Sequence, residues 1–300
     1  MTYSIVARDP ITHELGVAVQ TCNLAVGTWV PWAEGGVGAV ATQSMAERSY
    51  GTLGLDLMRG GMAAREALAA LLAVDEQRDL RQIAMVDGEG RLAQHNGLRC
   101  LPEAGMAGGE GFSTQANMMA RDTVWGAMAE AYEQAPGDIA ERMLAALDAA
   151  QGEGGDIRGQ QTAALLVVGP ERSPIPLIDL RVDHHPQPLW ELRRLLRLHR
   201  AYDGEYAIAD LVTRGEEEKA YELVQQVLEW APGEDYLRYL CAIHLAGGLN
   251  RREEALPLLR PLIAERPMWL EYLRRDAAAN LFGPPGTSAA LYRMLQEETS

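Results

Sequence analysis

The sequence is poor in lysine and in positive charge generally. Lys219 is the only lysine, and 42 acidic residues outnumber 27 Lys and Arg, which gives a net charge of −15. A protein that binds nucleic acid or an acidic membrane surface needs clustered basic side chains to neutralise phosphates. The composition therefore argues against nucleic acid and against membranes as partners.

Cysteine is also scarce. Cys22, Cys100 and Cys241 are far apart, with no Cys-x-x-Cys spacing and no even number to pair in disulfides. His184 and His185 follow an aspartate, but neighbouring residues of a strand point to opposite faces, and no third ligand follows at the usual spacing. We therefore expect a reducing compartment, no metal ion and no other cofactor.

Two further patterns are missing. No window approaches twenty uninterrupted apolar residues, and no basic segment followed by an apolar run stands at the start, so we expect a cytoplasmic protein. The glycine-rich stretch 105–111 lacks the Lys-Ser or Lys-Thr that completes a phosphate-binding loop. Because it precedes a strand rather than a helix, we predict a turn or a mobile flap there.

The first residues combine a candidate nucleophile with a strand. Thr2 is small enough that an aminopeptidase normally removes the Met before it, which would leave an α-amine and a hydroxyl on one residue. An amine with a pKa of about 8 can accept a proton at neutral pH and so activate that hydroxyl. Residues 4–7 and 15–20 read as an antiparallel hairpin. The alternative is an ordinary first strand with no catalytic role.

The rest of the first two thirds alternates between strands and pairs of helices. The hydrophobic pattern predicts two helices within 51–74, a hairpin of 81–87 with 91–95, a strand at 112–118, and two helices at 122–134 and 138–151. This order of elements is typical of a mixed α and β domain.

The chain changes character after Tyr202. Ala220 and Ala255 lie 35 residues apart, as do Pro232 and Pro267, and tetratricopeptide repeats have a period of about 34 residues. The segment resembles degenerate repeats of that kind. We therefore predict a first domain over residues 1–202 and an all-α domain of helical hairpins over 203–300. So small a number of repeats cannot bury its own apolar faces. We therefore expect the repeats to pack against the first domain or against a second copy in a homodimer, and they could recruit a protein partner.

Motifs in the first two thirds resemble one bacterial family, the family of unknown function DUF1028. The family is placed with the N-terminal nucleophile (Ntn) hydrolases, so the resemblance implies an α+β fold built as a four-layer αββα sandwich. The motifs, in the expected order, are the runs 2–9, 16–19, 24–27, 30–33, 36–44, 50–51, Gly97 with Cys100, 111–113, 115–118 and 154–161.

The resemblance also implies candidate catalytic residues besides Thr2. In this class of hydrolase, backbone amides at a strand end help to bind the oxyanion, which places Thr42, Gln43 and Ser44 beside Thr2. The alternative is that Gln43 only satisfies a buried strand end. Cys22 stands where members of the family often carry Lys or His, and it could replace such a residue only as a thiolate. Otherwise it is a small core residue.

Four polar residues are candidates for binding a substrate through amide or imidazole groups. Gln115 and Asn117 alternate onto one face of a strand and could hydrogen-bond an uncharged polar group if that face borders a cleft. His95 ends a strand and could be a base or a pocket donor, or could simply cap or pack. Gln161 lies just before a buried strand, where binding residues often collect.

Asp156 and Arg158 lie on the same loop as Gln161. Arg158 could bind a substrate carboxylate with two hydrogen bonds while Asp156 orients it; equally, the two could form a structural ion pair. Two functions remain open. The first is an amidohydrolase that cleaves a small polar amide or lactam with Thr2. The second is a catalytically silent binding or assembly module.

Overall fold

A computed structural model describes residues 2–297 and divides the chain into two compact units. The division falls between Arg194 and Leu195, whereas the sequence predicted a boundary after Tyr202. Helix α5, Pro188–Thr213, runs through the predicted boundary. Gly204 lies within this helix, since one glycine weakens a helix without ending it when the flanking residues favour helix.

The first unit contains ten strands in its described part. They are β1 Thr2–Arg8, β2 Leu15–Thr21, β3 Pro31–Glu34, β4 Gly38–Ser44, β5 Arg81–Asp87, β6 Leu92–Asn96, β7 Gly105–Gly109, β8 Phe112–Asn117, β9 Thr162–Val168 and β10 Ile178–Val182. Six strands form one sheet in the order β10-β9-β2-β1-β8-β7, and four form a second in the order β3-β4-β5-β6. Every strand pairing in the two sheets is antiparallel. The predicted hairpins β1–β2 and β5–β6 are both present.

Ten α-helices complete the described residues. Besides α5 they are α1 Ser49–Arg59, α2 Ala64–Val74, α3 Val124–Gln134, α4 Ile139–Gly152, α6 Glu217–Trp230, α7 Asp235–Ala246, α8 Arg252–Glu265, α9 Met268–Ala279 and α10 Thr287–Glu297. The predicted combination of a mixed α and β region with a helical C-terminal region is confirmed.

The central strands of the six-stranded sheet are buried on both faces, which explains why β1, β2 and β9 read as nearly continuous apolar runs. The two inner faces meet through small and β-branched residues such as Val6, Val17, Ala41, Ala84 and Val86. Helices α1 and α2 pack on the outer face of the four-stranded sheet. Helices α3 and α4 pack on the outer face of the six-stranded sheet.

Most of the glycine-rich stretch is an edge strand, β7, and not the predicted turn or mobile flap; only residues 110 and 111 form a turn before β8. Residues of β7 pair with β8 from Gly105 opposite Ala116 to Gly109 opposite Phe112. Glycine disfavours strands because it buries no side chain. Here the missing contact is supplied by Trp125, whose ring would lie 2.4 Å from a Cβ on Gly105.

The second unit has its own apolar core. It is formed by residues of α5 to α10, among them Ile208, Val224, Leu240, Leu259 and Leu291. Ala220 and Ala255 are both fully buried, in α6 and α8 respectively; the tetratricopeptide-like repeat itself stays a prediction. Within residues 2–297, no helix has the length and apolar character needed to cross a bilayer.

Replacing two helical glycines of the first unit with alanine should change the stability in opposite directions. A Cβ on Gly51 of α1 would lie 2.2 Å from the Trp32 ring, whereas a Cβ on Gly126 of α3 would have no atom within 4 Å. We expect Gly51→Ala to lower the free energy of unfolding by about 1–3 kcal/mol through overpacking. Gly126→Ala should raise it by about 0.5–1 kcal/mol through helix propensity. Urea unfolding measures both, and changes of the same sign would contradict the packing described for Gly51.

Candidate functional site

Several strands of both sheets end close together around Thr2. In the six-stranded sheet Thr2 lies opposite Asn117, and Thr21 lies opposite Thr162. In the four-stranded sheet, Gln82 near the start of β5 pairs with Asn96 at the end of β6. Because antiparallel neighbours reverse direction, the start of β1 meets the ends of β2 and β8 at this edge.

Thr2 has only 5% of its surface exposed. Its hydroxyl donates a hydrogen bond to Thr21 Oγ1 at 3.3 Å. Its carbonyl oxygen accepts two more, from Gln43 Nε2 at 3.2 Å and from Asn117 Nδ2 at 3.3 Å. The backbone of Thr2 is therefore held by both sheets.

Side-chain amides connect the two sheets behind Thr2. Gln43 Nε2 and Asn117 Nδ2 both donate to Gln82 Oε1, at 2.7 and 2.9 Å. Ser4 Oγ donates to Gln43 Oε1 at 2.6 Å and accepts from Gln115 Nε2 at 2.7 Å. We call these five residues the amide network. All five are at most 1% exposed, and each hydrogen bond replaces one that water would otherwise supply.

Gln115 and Asn117, which were predicted to bind substrate, are members of the amide network. Gln115 also accepts a hydrogen bond from Ser113 Oγ at 3.0 Å, so both ends of its amide have partners within the protein. Asn117 donates to Thr2 and to Gln82. Both side chains thus hold the interior together, and Asn117 also holds the carbonyl of Thr2.

Gln82 is the centre of this network and was missed by the sequence reasoning. Its Nε2 donates to Asn96 Oδ1 at 2.6 Å and to the carbonyl of Ala116 at 2.8 Å. The signal that could have found it is a long polar residue in line with Ala84 and Val86, the apolar residues of β5 that face the inner core. Such a residue must have partners inside the protein.

Asp156 and Arg158 form an ion pair near the same strand ends. Asp156 is 2% exposed and accepts hydrogen bonds from Arg158 Nε at 3.1 Å and Nη2 at 2.9 Å. The hydrogen bond from the Arg158 side chain to the Asp156 carboxylate raises the pKa of Arg158 above its usual value. The Cys22 N–H donates to Asp156 Oδ2 at 3.1 Å, and the Gln161 N–H donates to the carbonyl of Thr21 at 3.2 Å.

Cys22 follows Thr21 directly and is partly exposed. Its thiol lies 3.7 Å from the carbonyl oxygen of Arg158. The structure therefore brings together Thr2, Gln43, Asn117, the Asp156–Arg158 pair and Cys22. Among residues 2–297, no group of three or more His, Cys, Asp or Glu side chains is placed to hold a metal ion.

Two predicted residues point away from this cluster. Thr42 is buried and donates through Oγ1 to the carbonyl of Glu47 at 3.2 Å. His95 donates through Nε2 to the carbonyl of Arg78 at 2.7 Å. Both lie on the strand face that packs toward α1 and α2, because side chains alternate and Val40 and Ala93 belong to that core.

Ser44 ends β4 with an unusual backbone conformation. Its φ angle is 68°, a value that residues with a Cβ rarely adopt. Met118, the residue after β8, has a φ of 56°. Strained residues of this kind are often found at functional sites.

Exposed apolar side chains lie on the loops that leave these strand ends. We call them the apolar rim: Leu24, Met45, Leu98, Leu101 and Ile157, each more than half exposed. Arg81 of β5 links two of these loops, since its guanidinium donates to the Met45 carbonyl and its own carbonyl accepts from Cys100 Sγ. Apolar side chains gathered at one place on a surface often mark a binding region.

Comparisons with known proteins agree with this architecture. No curated protein sequence matches the chain at a significant level. The crystal structure of protein SPO2555 from Silicibacter pomeroyi, a DUF1028 protein, matches with a TM-score of 0.60 and 33% identity, covering 65% of this chain and 87% of SPO2555. A family model described as a family of unknown function, DUF1028, matches residues 2–192. Since that match spans well over half of the sequence, the chain belongs to the DUF1028 family.

Proposed function

We propose that the first unit is an N-terminal nucleophile hydrolase that cleaves an amide or lactam with Thr2. The observation that carries the proposal is the placement of Thr2 at the start of β1, with its hydroxyl beside Thr21 and its carbonyl held by Gln43 and Asn117. A nucleophile must be held in one orientation to attack efficiently. The packing of helices outside two facing sheets supports the αββα arrangement of this hydrolase class.

The proposed chemistry begins with removal of Met1, which lies outside the described residues. The new Thr2 amine takes the proton of the Thr2 hydroxyl, and Oγ1 attacks the carbonyl carbon. The C–N bond then breaks, the leaving nitrogen takes the proton, and an ester remains on Thr2. Water cleaves that ester, which releases the acid and restores the hydroxyl.

The Ser44 N–H at the end of β4 is the proposed donor to the oxyanion, because the N–H groups of Thr42 and Met45 already donate to the carbonyls of Val30 and Leu80. The left-handed conformation of Ser44 turns the chain sharply just after Gln43, and backbone N–H groups in such turns can bind anions. The Gln43 side chain is already engaged by Ser4, Gln82 and the Thr2 carbonyl. Its proposed role is therefore to orient Thr2 and not to transfer a proton.

Arg158 is the proposed contact for a carboxylate of the substrate. Its side chain is about one third exposed, whereas its partner Asp156 is fully buried. A guanidinium carries five N–H donors in a planar arrangement that suits carboxylates. Gln161 and the apolar rim lie at the same edge and would contact the rest of the substrate.

The experiment that tests the proposal uses a β-lactone, which acylates a reactive hydroxyl by ring opening and adds its whole mass. We expect the intact mass of the purified chain to be lower by one methionine, and the added mass to map to the peptide that begins with Thr2. Retention of Met1 would exclude the mechanism. Labelling that maps only to Cys22 would move the nucleophile to the thiol.

A further inference from the structure

The second unit contains a pocket with aromatic walls. It has a volume of about 460 Å³ and is formed by residues at the start of α7 and by the segment that leads into and through α9. Pockets of a few hundred Å³ with apolar walls and few polar groups are typical of small-molecule sites. We call it the aromatic pocket; its lining residues are Tyr236, Arg266, Met268, Trp269, Glu271, Tyr272 and Arg275.

The aromatic walls are held in place by the core beneath them. Trp269 packs edge-on against Tyr272 with ring centres 5.5 Å apart, and Tyr236 packs edge-on against Tyr272 at 6.4 Å. Behind them Tyr239 stacks on Trp269 at 5.7 Å, and its hydroxyl donates to the buried Asp276 at 2.6 Å. These contacts fix the rings before any ligand binds, which lowers the entropic cost of binding.

Two arginines and one glutamate line the pocket, although acidic residues outnumber basic ones in the whole chain, whose net charge is −15. Arg266 and Arg275 line it and are about two thirds exposed. The lining carboxylate, Glu271, is hydrogen-bonded by Arg274 at 2.7 Å and by Arg275 at 2.8 Å. Those hydrogen bonds, from Arg274 and then Arg275, lower the pKa of Glu271 to about 2. Two arginines thus neutralise the single acidic group of the lining.

A cation is a poor ligand for this pocket. Three aromatic rings could surround a cationic head group, but Arg266 and Arg275 would repel it. Arg266 is paired with Asp235, and Arg275 with Glu271. Each guanidinium still has donors that these carboxylates do not occupy, because it carries five N–H groups. The remaining donors favour an anionic group at the entrance.

We infer that the aromatic pocket binds a small, planar aromatic carboxylate. The ring lies among Tyr236, Trp269 and Tyr272, and the carboxylate lies at the entrance against Arg266 and Arg275. This site is separate from Thr2 and does not depend on the hydrolase proposal.

Naphthalene-2-carboxylate is the probe for the test, with naphthalene-2-methanol as its neutral counterpart, and binding to the full chain is measured by calorimetry. We expect the carboxylate to bind at least about tenfold more tightly than the alcohol. Arg266→Gln and Arg275→Gln should each weaken carboxylate binding about five- to tenfold and change alcohol binding less than about twofold.

Arg252→Gln is the matched control, because Arg252 is an exposed arginine of α8 that does not line the pocket. It should leave both affinities unchanged. Met268→Ser removes an exposed apolar wall residue and should weaken both probes. No binding of either probe below about 1 mM, or equal affinities for both, overturns the inference. Carboxylate binding that survives Arg266→Gln and Arg275→Gln together would also overturn it.

Discussion

Replacing Thr2 with alanine is expected to slow β-lactone acylation at the N-terminal peptide by at least about 10³-fold. Alanine keeps the small side chain that permits removal of Met1 and supplies the same α-amine, but it has no oxygen to form the ester. Losses of this size are usual when a catalytic nucleophile is removed. Labelling kinetics by mass spectrometry measure the effect without knowledge of the natural substrate.

Thr2→Ser is the matched control for this substitution. Serine restores a hydroxyl on the same carbon, and we expect it to keep the labelling rate within about tenfold of the original, since the amine and the held carbonyl are unchanged. Cys22→Ser should have little effect. If Thr2→Ala is labelled as fast as the unaltered chain, Thr2 is not the nucleophile.

Replacing Gln82 with methionine should strongly destabilise the first unit. Methionine has a similar volume, so packing changes little, but Gln43 and Asn117 lose a shared acceptor, and Asn96 and Ala116 lose a donor. A buried polar group left without a partner costs about 1–3 kcal/mol. Because the groups can find partial substitutes, we expect the free energy of unfolding to fall by about 3–5 kcal/mol in total.

Gln94→Met is the control for the Gln82 substitution. Gln94 lies on the neighbouring strand β6 and hydrogen-bonds Ser113 Oγ and the carbonyl of Ala107, but it is exposed and water can replace it. We expect a cost below about 1 kcal/mol. Urea unfolding combined with hydrogen exchange of the β1 amides assigns each change to the first unit. Equal costs for the two substitutions would show that the amide network adds nothing beyond an ordinary surface hydrogen bond.

Local sequence pattern predicted much of the fold. The β1–β2 hairpin follows from two short apolar runs separated by a turn, and the helices α1 and α2 follow from their periodicity with a break at Gly60 and Gly61. Strand β7 was missed because its glycines carry no strand signal of their own. The contact that covers Gly105 comes from Trp125 of the following helix α3, which nothing in the strand's own residues indicates.

The arrangement of the candidate site was harder to predict from the sequence. Thr2 and Gln43 were placed together only through the family resemblance, because nothing in either strand records how two sheets stack. For the same reason the sequence did not reveal Gln82, whose partners come from four other strands. The sequence also did not show which side of the sheet His95 and Thr42 face. That depends on the strand register, which is set by the pairing partners.

The amide network contains no group that titrates near neutral pH. Its members are Gln, Asn and Ser, whose side chains neither gain nor lose a proton between about pH 4 and 9. The amide network that fixes the Thr2 carbonyl therefore keeps its protonation state over this interval, and in the proposed mechanism a change of pH acts on the Thr2 amine alone. A rate profile measured over that interval should trace one ionisation, that of the terminal nitrogen, with the rate increasing as it deprotonates.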